Sequence, residues 1–267
     1  MDLTWFDHLF FFLLGVVFPA MAVMSEKSGA EEDESYIQQL PPKKHIYYSN
    51  GLMLVIGALM VLTLWNVTYR DFGKLGFQDI LISPAALWIV TGITLIYAGD
   101  TLYNVWQSKK EADKWKDLSH IMPTSWQDYR HFIFLALAAG SCEEIIFRGF
   151  MINYVAEMTS SFSYAEAVAL IVPAFIFSIS HIYQGWASVV KIASISLLFG
   201  ALYMYTTSLY LVMIIHVLVD LISGAVLVTL SKKSRYHLIK TIPFCIFVHY
   251  TFIGSIIRSQ HGSSFVS

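Results

Sequence analysis

Residues 131–158 read HFIFLALAAGSCEEIIFRGFMINYVAEM. The run is long enough to cross a hydrocarbon core, which takes about 20 apolar residues per helix. It nevertheless carries Glu143, Glu144 and Arg148 in its middle. Glu143 lies roughly 18 Å past His131 at helical rise, near the midplane of a core about 30 Å thick. Each such charge costs about 2.5–3.5 kcal/mol to insert, so three cost something near 8–10 kcal/mol before any pairing. Part of the compensation is local. Glu144 and Arg148 stand four residues apart with the acid first, the spacing of an ion pair on one helical face. Glu143 is turned about 100° from Glu144. It has to face other groups of a bundle or stay protonated. Arg148 favours the ionised form of Glu144, which leaves Glu143 as the candidate general base or acid. The simpler reading is an ion pair that only fixes helix packing.

The rest of the chain resembles this run in hydropathy but lacks its charge. Of 267 residues, 56% are apolar and 13% are charged, against about 25% charged in soluble domains. Mean hydropathy is +0.59. Eight apolar runs are long enough to span: 5–24, 47–66, 82–106, 131–158, 162–183, 187–205, 208–230 and 238–257. The chain therefore reads as a single membrane domain over 1–267, an all-α polytopic bundle of about eight transmembrane helices. Thr206-Thr207 is almost all that joins the sixth and seventh runs, which predicts a tight antiparallel hairpin. The first run is no secretory signal, because Asp2 and Asp7 precede or enter it without Lys or Arg, whereas a signal wants a basic start. The net charge of −2 argues against a nucleic-acid partner. Cys142 and Cys245 are far apart, so neither a disulfide framework nor a zinc knuckle is written here. Fifteen per cent aromatic residues suits interfacial belts.

Loop charge sets the expected orientation. Residues 26–44 are mostly acidic before Lys43-Lys44. Residues 107–130 hold Lys109, Lys110, Lys114, Lys116 and Arg130, and predict an amphipathic surface helix. Lys232, Lys233 and Arg235 make a third basic loop. The odd-numbered loops hold most of the Lys and Arg, so the positive-inside rule puts them in the cytoplasm and both termini outside.

Three further ionisable residues within apolar runs stand out. Span five holds Phe177-SIS-His181, and span seven holds His216-VLV-Asp220, again a one-turn pair. A lone membrane histidine is usually a helix-packing hydrogen bonder. Two histidines and an Asp beside a Glu-Glu-Arg span are a different matter, since intramembrane ionisable groups face the bundle interior and mark functional sites. His181 reads as shallower than the others, unless a kink at Pro173 shifts it. His131, His237 and His249 fall near span ends and read as interfacial or packing residues. Asp100, in Gly-Asp-Thr, reads as a cap or kink. Cys142 reads as a small packing residue, because neighbouring carboxylates disfavour its thiolate.

In order and spacing these residues resemble the CPBP family of CAAX proteases and bacteriocin-processing (Abi) enzymes. Glu143-Glu144-IIF-Arg148-Gly149 is similar to its EExxxRG motif. Phe177-SIS-His181 is similar to its FxxxH motif. Leu198-Phe199-Gly200 followed by His216-VLV-Asp220 resembles its third region, where an HxxxN or HxxxD occurs. The likeness covers about 130–224. It implies an eight-helix intramembrane endopeptidase, in a family some of whose members remove the last three residues of prenylated CAAX proteins. Carried over, Glu143 and His181 activate a water, Glu144–Arg148 orients the site, and His216 with Asp220 holds the tetrahedral intermediate. One departure stands out: an Asn can donate to an oxyanion and an ionised Asp cannot. Asp220 then orients His216 or serves as a metal ligand. The family has also been described as metalloproteases. Glu143, His181, His216 and Asp220 are all acceptable zinc ligands, but the HExxH pattern is absent. The expectation is metal-free water activation, with zinc as the alternative cofactor. The implied partners are the bilayer of a multi-pass location (the inner membrane if prokaryotic) and a membrane-associated peptide or lipidated protein. Two other classes compete: a proton-coupled transporter, whose internal repeats are not visible, and a non-catalytic scaffold or immunity protein of the same family.

Overall fold

The computed structural model describes residues 2–28, 41–80, 82–107, 122–182 and 185–233. Every regular element among them is a helix. Helix α1 runs over Trp5–Phe12, a π-helical stretch Leu13–Val17, and Phe18–Ser28. Helix α2 is Lys43–Val67, α3 the short Phe72–Leu75, and α4 Pro84–Gln107. Helix α5 comprises Trp126–Ala138, a π-helical stretch Ala139–Ile152, and Asn153–Met158. Helices α6, α7 and α8 are Ala165–Ile179, Trp186–Thr206 and Leu209–Lys233.

Four of these are long and apolar enough to cross a membrane: Lys43–Val67, Pro84–Leu102, Trp186–Thr206 and Leu209–Thr229. The shorter Trp5–Met21 and Ala165–Ile179 are apolar too. Their outward faces carry exposed Leu52, Ile56, Leu59, Leu95, Phe175, Ile214 and Leu218. Water would penalise apolar surface on this scale, and lipid does not. The architecture is an all-α membrane bundle. The eighth predicted span, most of the predicted surface helix, Cys245, His237 and His249 lie outside the described residues.

Helix α5 is the axis of the bundle. Its start is set by Ser125, whose side chain accepts from the Asp128 N–H at 3.0 Å, a standard N-cap arrangement. In its π-helical stretch every residue but Ser141 and Phe147 is buried. Apart from its three charged residues the stretch is largely apolar on every side, which suits the interior, and α2, α6 and α8 pack around it. Gly140 lets α8 approach closely: a β-carbon there would lie 2.7 Å from the Val217 backbone nitrogen. That contact is one residue from His216.

The α-helical geometry expected through Glu143 and Glu144 gives way to 14 π-helical residues. Backbone bonds to the fifth residue widen the turn, so the angle between adjacent side chains is not the α-helical 100° step. The fifth span was placed to Tyr183, but α6 ends at Ile179 and the chain turns at Ser180-His181. The hairpin expected at Thr206-Thr207 is present. Thr207 takes a left-handed conformation (φ 51°), and α8 begins at Leu209.

Candidate active site

The three charged residues in the π-helical stretch of α5 are held from two sides. Arg148 donates to Glu144 Oε1 at 3.0 Å, the one-turn pair the sequence suggests. Its other terminal nitrogen reaches Ser196 Oγ at 3.0 Å on α7. The guanidinium lies over the rings of Phe177 on α6 and Phe199 on α7, 5.2 and 5.6 Å from their centroids. Desolvated cation–π contacts of this kind offset part of the cost of burying the charge.

Helix α8 adds the histidine. His216 Nδ1 lies 2.6 Å from Glu144 Oε1, so a single carboxylate oxygen receives both His216 and Arg148. The other ring nitrogen, Nε2, lies 4.0 Å from Glu143 Oε2 and 3.8 Å from Asp220 Oδ2. Asp220 is buried, and its Oδ1 has no hydrogen-bond partner. Glu143, Glu144, Arg148, His216 and Asp220 thus form one buried cluster between α5, α7 and α8.

His181 arrives differently. It follows the end of α6, and its Nδ1 lies 2.6 Å from the Phe177 carbonyl oxygen. A carbonyl only accepts, so Nδ1 carries the hydrogen. In the neutral ring Nε2 then holds a lone pair. His181 and Glu143 line one apolar cavity of about 470 Å³. Its other walls come from α1 (Leu13, Leu14, Val17), α2 (Asn50, Met53, Leu54) and Phe177 of α6. The short α6 and its terminal turn deliver the histidine that had looked too shallow in the sequence.

Asp100 lies elsewhere, as the ion-pair partner of Lys191 at 2.6 Å between α4 and α7. His131 meets Tyr48 at 3.2 Å, a packing contact. Cys142 is a buried free thiol. Sequence reasoning passed over Ser196, which carries no charge to flag it. It also passed over Asn50, a polar residue near the start of the 47–66 apolar run, whose meaning depends on what it faces.

The structure does not gather Glu143, His181, His216 and Asp220 into one ligand set. Among the described residues no group of three or more His, Cys, Asp or Glu side chains is arranged to hold a metal ion. His216 Nδ1 is engaged by Glu144 at 2.6 Å.

Residues 125–222 match the family model described as Rce1-like, type II CAAX prenyl endopeptidase. The matched segment starts at the Ser125 cap and contains all the motif residues through Asp220. The match is a likeness to a family of membrane endopeptidases, and it falls on the segment whose motifs resemble those of CAAX proteases. Neither a curated protein nor a solved structure matches the chain.

Proposed function

We propose that this protein is a multi-pass membrane endopeptidase that hydrolyses a peptide bond of a membrane-associated or lipidated protein, using water activated by Glu143 and His181. The observation that carries the reading is that both side chains line one apolar cavity inside the bundle. An apolar chamber suits a substrate held at the membrane, and low local polarity strengthens every electrostatic contact within it.

In this reading the water oxygen bonds to the scissile carbonyl carbon while its proton passes to the Glu143–His181 pair. Collapse of the tetrahedral intermediate breaks the C–N bond, and the same proton goes to the leaving amine. His181 is set up for this by the Phe177 carbonyl, which fixes its tautomer. Glu144 is the organiser, binding Arg148 and His216 through one oxygen. His216 faces the reacting side with Nε2, with Asp220 orienting it from one turn away. In a prokaryotic source the location would be the inner membrane.

The test is cleavage of defined lipidated and unlipidated membrane peptides by purified protein in vesicles. Glu143→Ala and His181→Ala are each expected to abolish cleavage with the bundle intact. Cleavage surviving both changes rules the reading out. Chelator treatment with metal analysis decides the cofactor: stoichiometric zinc whose removal stops cleavage would replace metal-free activation.

A further inference from the structure

Four polar residues line the cavity: Asn50, Glu143, Ser180 and His181. Hydrolysis of a peptide bond there requires a hydrogen-bond donor for the oxygen that becomes negative. The Ser180 hydroxyl donates to the Ile176 carbonyl at 2.8 Å. His181 donates from Nδ1 to Phe177. Glu143, when ionised, only accepts. Asn50 differs from all three. It sits on α2, outside the segment that matches the family model. It is 97% buried (3% exposed), and its Oδ1 has no hydrogen-bond partner. A buried amide oxygen without a partner is costly and uncommon, and its retention calls for a functional explanation. An amide also brings two N–H donors with no charge to insert into the bilayer.

We propose that Asn50 is a further catalytic residue, its side-chain amide donating to the carbonyl oxygen of the scissile peptide and to the oxyanion formed from it. This rests on the endopeptidase reading above. Asn50 acts from the α2 wall of the cavity that Glu143 lines from α5. It complements the carboxylates of that cluster, which accept hydrogen bonds when ionised and do not supply them.

The experiment compares wild type, Asn50→Leu, Asn50→Ala and Glu143→Gln in vesicles with one cleavable peptide. It also measures binding of a phosphinate peptide that mimics the tetrahedral intermediate. Both Asn50 variants are expected to lose about 100-fold in kcat, the scale seen when one oxyanion donor is removed, with KM changed less than threefold. Phosphinate affinity should fall in parallel, while thermal unfolding of the Leu variant stays at or above wild type because an unsatisfied polar group has gone. Rates within threefold of wild type in both variants, or phosphinate binding unchanged, overturn the proposal. Glu143→Gln separates the two levels: a dead Glu143→Gln beside fully active Asn50 variants sinks only the Asn50 assignment. A Glu143→Gln enzyme as active as wild type sinks the endopeptidase mechanism itself.

Discussion

Glu144 Oε1 lies 2.6 Å from His216 Nδ1, a contact between residues 72 positions apart in the chain. The same oxygen takes Arg148 at 3.0 Å. The two adjacent glutamates therefore have different duties. Glu144 ties α5 to α8, and Glu143 faces the cavity. Removing one member of a buried ion pair leaves an uncompensated charge, at a cost of about 3–5 kcal/mol. Glu144→Ala is expected to lower stability by an amount in that range and to lose activity with it. Glu143→Gln should lose activity at a smaller cost in stability than Glu144→Ala, since glutamine keeps the side chain's shape and removes only a charge that is expensive to bury. Thermal or denaturant unfolding in detergent, run beside the peptide assay, checks the contrast. Equal destabilisation by both would show that the glutamates share one structural role.

Gly140 governs how closely α8 approaches α5. A β-carbon at this position would meet the Val217 side chain at 2.6 Å and its backbone nitrogen at 2.7 Å. Backbone cannot swing aside as a flexible side chain can, so the helices must separate. Gly140→Ala is expected to cost about 1–3 kcal/mol, the usual range for overpacking. It should also reduce kcat, because His216 is the residue immediately before the point of contact and would lose its register with Glu144. Gly57→Ala is the comparison: its β-carbon would meet only the end of the Ile146 side chain, at 3.2 Å, and a milder loss of stability is expected there.

The site was legible to the extent that charge betrays position. Glu143, Glu144, Arg148, His216 and Asp220 are all ionisable residues in apolar runs, and the insertion cost alone predicts that they face inward. The structure gathers them between α5, α7 and α8. The one-turn spacing of Glu144 and Arg148 also carried their pairing. What spacing does not carry is the π-helical backbone of Ala139–Ile152, because the choice between fourth- and fifth-residue bonding depends on packing from α2, α6 and α8. The placement of His181 depended on where α6 ends, and a continuous apolar sequence through Tyr183 hides that end. Asn50 was illegible for another reason. A neutral polar residue near one end of a span is ordinary until the opposite wall of its cavity is known.

The N-terminal helix is fastened by a second buried ion pair. Arg70 donates from both terminal nitrogens to the two Asp7 oxygens at 2.7 Å each, and also to the Asp2 carbonyl at 2.8 Å. Its guanidinium lies 5.1 Å from the centroid of the Trp65 ring. Since α1 supplies Leu13, Leu14 and Val17 to the cavity, this fork holds one wall of the chamber in place. Arg70→Met leaves Asp7 buried and uncompensated, and should cost about 3–5 kcal/mol. The double change Asp7→Asn with Arg70→Met should recover a good part of that loss. A double change as unstable as Arg70→Met alone would show that the carboxylate charge is not the source of the cost.

The first turn of α5, ahead of the apolar run, carries a pair that responds to pH. Burial raises the carboxyl of Asp128, but the Lys43 ammonium at 3.4 Å, the Thr124 N–H and the Ser125 hydroxyl outweigh it, and the net effect is to lower it. A carboxyl lower in the folded state than in the unfolded chain adds stability above the unfolded value of about 3.9, and loses it as pH falls through the folded value. Wild type should therefore lose unfolding temperature as pH drops from about 5 towards 3, and part of that slope belongs to Asp128. In Asp128→Asn this part is absent, so the gap between the two proteins should be widest above about pH 5 and should close in acid. Because Lys43 stands at the start of α2 and also donates to the Met122 carbonyl at 2.7 Å, the pair clamps α2 to the entry of α5. A gap that stays constant from pH 7 to pH 3 would mean that the side chain acts through packing and its hydrogen bonds, not through its charge.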